Sequence, residues 1–123
     1  MVYMSEQDAF ECLYEKANEA IANNPDTEQV LAIQTATMNM YVLLNDGVTA
    51  GRHETEQQFL SMLSQSGDTH VLKVVALWRD FGPDLPSFHF RTQLAALDPR
   101  NMDTHLLVRG AEGYHSRALS TTL

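Results

Sequence analysis

Cysteine is nearly absent from this 123-residue sequence, and Cys12 stands alone. A single thiol excludes an intramolecular disulfide and leaves a cysteine-based zinc site short of ligands, so a reducing, cytoplasmic compartment is expected. Long apolar runs are also missing. No stretch approaches the roughly 18 residues of a membrane span, and Met1-Val2-Tyr3-Met4-Ser5-Glu6 lacks a basic region leading into an apolar one. Export and membrane insertion are therefore not expected. Basic charge is scarce: eight Lys and Arg against sixteen Asp and Glu give a net charge of -8, which disfavours direct binding to nucleic acid. No Gly-x-Ser-x-Gly, P-loop or Gly-x-Gly-x-x-Gly pattern occurs, so serine hydrolases and nucleotide-binding folds lose their usual anchors.

What is present suits one globular core: 44% apolar and 20% charged residues in a chain of single-domain length. The acid is unevenly placed. Residues 1–68 carry two basic and eleven acidic side chains, a net -9, whereas residues 69–123 carry six against five, a net +1. Four of the five histidines (His70, His89, His105, His115) lie in that rear part.

Ser5 followed by Asp8 resembles a capping box, and Phe10, Leu13, Ala17 and Ile21 recur at helical spacing, predicting a helix to about Asn23 before Asn24-Pro25. Asp26 or Thr27 caps a second expected helix. Its run Val30, Leu31, Ile33, Met38, Met40, Tyr41, Val42, Leu43 and Leu44 leaves almost no polar face, which reads as the most buried helix. A third is expected near Glu54, with Phe59, Leu60, Met62 and Leu63 inward. Val71 to Phe81 is read as helix after Asp68, with a buried strand as competitor because of its β-branched content. Gly82-Pro83-Asp84-Leu85-Pro86 breaks the chain; Ser87 caps a helix holding Phe90, Leu94 and Leu97, against which Phe88-His89-Phe90-Arg91 also alternates like a strand. A last short helix is expected over Asp103 to Val108.

The fold expected is all-α, a compact bundle of about five to six short helices, with an α+β alternative having strands near 70–78 and 87–94. Residues 1–115 would form one helical domain and residues 116–123 a frayed tail. Three segments echo one another at spacings of 42 and 35: Asp26-Thr27-Glu28-Gln29-Val30-Leu31, Asp68-Thr69-His70-Val71-Leu72 and Asp103-Thr104-His105-Leu106-Leu107. The turns before the first and third resemble junctions of tetratricopeptide repeats. The aromatic and small positions of such repeats do not follow them, and three separately capped helices explain the echo equally well.

His53-Glu54-Thr55-Glu56 is the densest set of metal-ligand types, but Gln57 and Gln58 stand where a second imidazole would complete a one-turn pair, so no metal or cofactor is expected. His70 and His105 are read as surface groups, and Cys12, flanked by Glu11 and Glu15, as an unreactive thiol. Arg79, Arg91, Arg100, Arg109 and Arg117 are read as solvated or paired with the acidic front part. Thr121-Thr122-Leu123 only loosely fits a C-terminal recognition peptide.

The functional expectation is a non-enzymatic acidic interaction protein. It would bind a basic protein partner through Glu11, Glu15, Glu19, Glu54 and Glu56, as an inhibitor, secretion chaperone, adaptor or regulator, and a homodimer is compatible with it. Two alternatives stand beside it: a nucleic-acid-mimicking decoy, and a small enzyme using histidines or the His53–Glu56 cluster.

Overall fold

The computed structural model describes residues 6–45, 49–110 and 113–123, with the side chains of 6–9 and 49–53 outside that description. It is α+β. Among the described residues, three helices pack on a six-stranded mixed sheet: α1 (Glu6–Asn23), β1 (Gln29–Thr35), β2 (Met40–Asn45), α2 (Thr49–Ser66), β3 (Val71–Trp78), β4 (Gly82–Asp84), α3 (Phe88–Leu97), β5 (His105–Gly110) and β6 (Gly113–Ala118). The main sheet order is β2-β1-β3-β5-β6, with β4 paired to β3 outside that path. Among the described strands only β3 and β5 run parallel, and the segment bearing α3 makes the long crossover that a parallel pair requires.

The expected helical bundle is thereby overturned. The segment read as the most buried helix is a β-hairpin: β1 pairs antiparallel with β2 from Gln29↔Asn45 to Gln34↔Met40. Its tip places Met38 at φ 69. Every residue of β1 is buried because α1 covers one face of the sheet and α2 with α3 the other. A strand enclosed on both faces loses the alternation that marks strands, leaving a continuous apolar run that periodicity cannot tell from a buried helix. For the same reason Val71–Trp78 is strand, as its competitor reading had it, and His105–Gly110 is strand where a short helix was expected. Phe88–Leu97 is helix, so the proposed strand near 87–94 does not form.

The threefold echo has a structural meaning of another kind. Its members lead into β1, β3 and β5, which lie side by side at the centre of the sheet. Residues 116–123, expected to fray, continue β6 and finish in a 3-10 turn that buries Leu119 against the core.

The core has two parts. Phe10, Leu13 and Ala17 of α1 meet Val30, Ala32, Val75, Leu77 and Leu107 on one face. Phe59, Leu60 and Leu63 of α2 with Phe90 and Leu94 of α3 meet Leu31, Ile33, Val74, Ala76 and Leu106 on the other. α1 has no basic residue in its last turn; Arg79 supplies the missing cation from β3's end. Its guanidinium donates to Ile21 O (2.9 Å), Asn24 O (2.7 Å) and Thr27 O (2.7 Å), so carbonyls orphaned by the helix end gain a charged donor.

Candidate functional site

The direction of the strands decides where chemistry can gather. α2 leads directly into β3, and α3 carries the crossover from β3 to β5, so both helices run against the parallel pair. Their N-termini therefore meet at one edge of the sheet, beyond the carboxyl ends of β3 and β5. Open α/β sheets hold their ligands at that edge, where two helix starts also present their positive ends.

Three residues terminate the strands there in register: Gln29 lies opposite both Asn45 and Trp78. Alternation along each strand assigns their side chains to the α2/α3 face, since Leu31, Tyr41, Leu43, Val74 and Ala76 pack there. Gln29 and Asn45 are each only 1% exposed, and Asn45 Nδ2 donates to Gln29 Oε1 at 2.9 Å. Gln29 Nε2 and Asn45 Oδ1 have no hydrogen-bond partner among the described residues. Exchanging the oxygen and nitrogen of both amides would leave the same result, one donor and one acceptor unmet. Each unmatched buried group costs about 1–3 kcal/mol.

The second turn of α2 and the start of α3 add further groups. Glu56 lies three residues before Phe59 and four before Leu60, so helical spacing places it on the same inward stripe of α2, and it is 1% exposed. On α3, Ser87 is the N-cap and its hydroxyl accepts from the Phe90 amide at 3.2 Å. Phe88 is exposed with the Arg91 guanidinium 5.4 Å from its ring centroid. Arg91 Nε also donates to Pro86 O at 3.0 Å, and desolvation by burial, then repulsion from Arg117, lowers the Arg91 pKa.

The opposite edge of the sheet is also polar, but its groups are matched. The Asp68 carboxylate accepts from Thr35 Oγ1 (2.9 Å), Thr37 Oγ1 (2.9 Å), Asn39 Nδ2 (3.2 Å) and Tyr41 OH (2.8 Å). Burial pushes this carboxyl up, yet the four donors together hold it below its ordinary value, and Asp68 in turn raises the Tyr41 hydroxyl. Asp98 accepts from Arg100 at 2.8 Å and from Thr69 Oγ1 at 2.8 Å. The Arg100 guanidinium and backbone N–H hold it far below the usual carboxylate range. Asn101 Oδ1 accepts from Val71 N, while its Nδ2 donates to Thr69 O and Leu94 O.

The five acids singled out in the sequence do not share a surface. Glu11, Glu15 and Glu19 are exposed on α1, whereas exposed Glu54 and buried Glu56 belong to α2 on the other side of the sheet. The side chain of His53 lies outside the described residues. His70 and His105 sit at the starts of β3 and β5, near the matched edge and away from the helix starts. Among the described residues the arginines make no ion pair with the acidic front part: Arg109 and Arg117 donate to the carbonyls of Phe81 and Thr121, and the one ion pair is Arg100–Asp98. Sequence reasoning missed Gln29, Asn45 and Trp78 because the helical reading scattered them along the chain instead of aligning them. Only the echo at Asp26 and Asp68 marked two of their strands.

No protein-family model matches the sequence, and no curated protein matches it. Among solved structures, a cytidine deaminase from Mycobacterium leprae superposes with a TM-score of 0.62 at 16% identity, covering 93% of this chain and 96% of that one. The fold is similar to a cytidine deaminase's. At this identity the likeness establishes fold alone; it overturns the helical bundle on which the functional expectation was built. A non-enzymatic helical inhibitor, chaperone, adaptor or regulator has no support.

Zinc deaminases carry an H-x-E sequence followed by P-C-x-x-C; the His and cysteines hold zinc and the Glu moves protons without binding the metal. In this chain the corresponding spacing falls on Glu54-Thr55-Glu56, in the second turn of α2, and on Pro86-Ser87-Phe88-His89-Phe90 at the start of α3. At the glutamate position of that spacing stands Glu56, which is buried. The two cysteine positions do not fit zinc: Ser87 is committed to capping α3, and Phe90 is a fully buried core aromatic without a donor atom, so Glu54 at the histidine position would stand alone. Cys12 is exposed on α1, across the sheet. No group of three His, Cys, Asp or Glu able to hold a metal occurs among the described residues.

Proposed function

We propose that this chain binds a pyrimidine nucleoside or a related cyclic amide at the edge formed by Gln29, Asn45 and Trp78, beside the second turn of α2 and the start of α3. Glu56 is the group that gives or takes a proton at the bound ring. The observation that carries this reading is the unmet donor and acceptor of the Gln29–Asn45 pair. A nucleobase edge presents a donor beside an acceptor, and a ligand that meets both relieves two buried deficits at once. The likeness to a cytidine deaminase supports the ligand class. Trp78 adds an aromatic ring of the kind on which bases stack. A cytoplasmic location fits the lone thiol, and no helix among the described residues is long and apolar enough to cross a membrane.

Isothermal titration with cytidine, uridine, cytosine and uracil tests the proposal. At least one should bind, and Asn45→Ala should weaken it about tenfold or more by leaving a ligand group unpaired. Glu56→Gln should alter the pH dependence of that binding. Absence of binding across the panel, or equal affinity in Asn45→Ala, would overturn the reading.

A further inference from the structure

We propose that this chain has dispensed with the zinc of its fold relatives and holds the α3 start together by a side-chain cap and an apolar plug. The inference rests on the deaminase-like fold and the residues at the helix starts, not on the ligand class proposed above.

A bound metal at such a place does structural service as well as chemical, since a metal ion ties the chain segments that supply its ligands. Without one, those segments need another anchor. At α3 the replacements are visible one by one. Ser87 turns its hydroxyl onto the Phe90 amide, satisfying a donor the helix leaves orphaned. Phe90, which stands where that spacing would put the second cysteine, is fully buried in one core cluster with Leu63, Leu94 and Leu106. Arg91 then binds the entering chain through Pro86 O and the C-terminal turn through Thr122 O, at 3.0 Å and 2.5 Å. The segment is anchored at three points by groups that offer a metal no thiolate.

The untagged full-length chain, produced in zinc-supplemented medium, is tested by elemental analysis and by thermal unfolding with EDTA or added zinc. We expect below about half an equivalent of zinc per chain and a Tm that neither chelator nor zinc moves. Half an equivalent or more, or a Tm lowered by EDTA, would overturn the proposal. Ser87 supplies a second measurement: Ser87→Ala should lower Tm by about 2–6 °C while Ser87→Asp, another good cap, restores it. If Ser87→Asp fails to restore Tm, the capping role falls. These readouts are independent of nucleoside titration, so failure of either reading is recognised separately.

Discussion

The two edges of the sheet are built from similar residues and behave oppositely. At the edge where β3 and β5 begin, Asp68, Asp98, Asn101 and Thr104 are buried, and each has hydrogen-bond partners. At the edge where those strands end, Gln29 and Asn45 are equally buried yet share one hydrogen bond and, among the described residues, leave a donor and an acceptor unmet. A polar group withdrawn from water stabilises a fold only when matched. The first edge is therefore a clamp, and the second holds deficits that a ligand would fill. The helix starts converge on the second edge, so burial of polar residues alone would not have separated clamp from site; their state of satisfaction does.

This contrast makes unequal predictions. The largest effect belongs to the clamp: Asn101→Leu strands Val71 N, Thr69 O and Leu94 O together and should destabilise the chain by about 3–4 kcal/mol, read by urea unfolding. A loss below about 1 kcal/mol would show that this edge is no clamp. An intermediate effect is expected from acid. Asp98 and Asp68 both have depressed folded-state pKa values, so their stabilisation is complete above the ordinary carboxylate range and lost as pH falls through the folded values. Stability should thus decline below about pH 4, and Asp98→Asn should be less stable at neutral pH with a shallower acid slope. An unchanged slope would refute the assignment. The smallest effect belongs to the open edge. Gln29→Leu with Asn45→Leu removes two mismatched amides and should leave stability within about 1 kcal/mol of the parent, or raise it, while abolishing nucleoside binding. A loss like that of Asn101→Leu would make the two edges equivalent.

Part of this was legible before any fold. α1 was visible from Phe10, Leu13 and Ala17, and the α3 start from Pro86 and Ser87, because helical spacing and cap chemistry are local. The acidic stripe Glu11, Glu15 and Glu19 was correctly exposed, but its apparent partners Glu54 and Glu56 lie across the sheet, one of them buried. The strand identity of Val30–Leu44 was not legible. Enclosure by helices on both faces erased the alternation that would have announced it. Gln29, Asn45 and Trp78 carried no mark of a site, because 16 and 33 residues of chain separate their positions from one another.

Composition and local chemistry alone determined that this chain would fold around a core of its own, that it could make no intramolecular disulfide, and where α1 and α3 begin and end. Those properties depend on neighbours within a few residues. Which apolar runs became strands, which acids shared a face, and which amides met at one edge were decided by the tertiary structure. Strand register brings distant positions into contact, and the desolvation that makes an unmatched donor or acceptor costly exists only once the layers have closed over it.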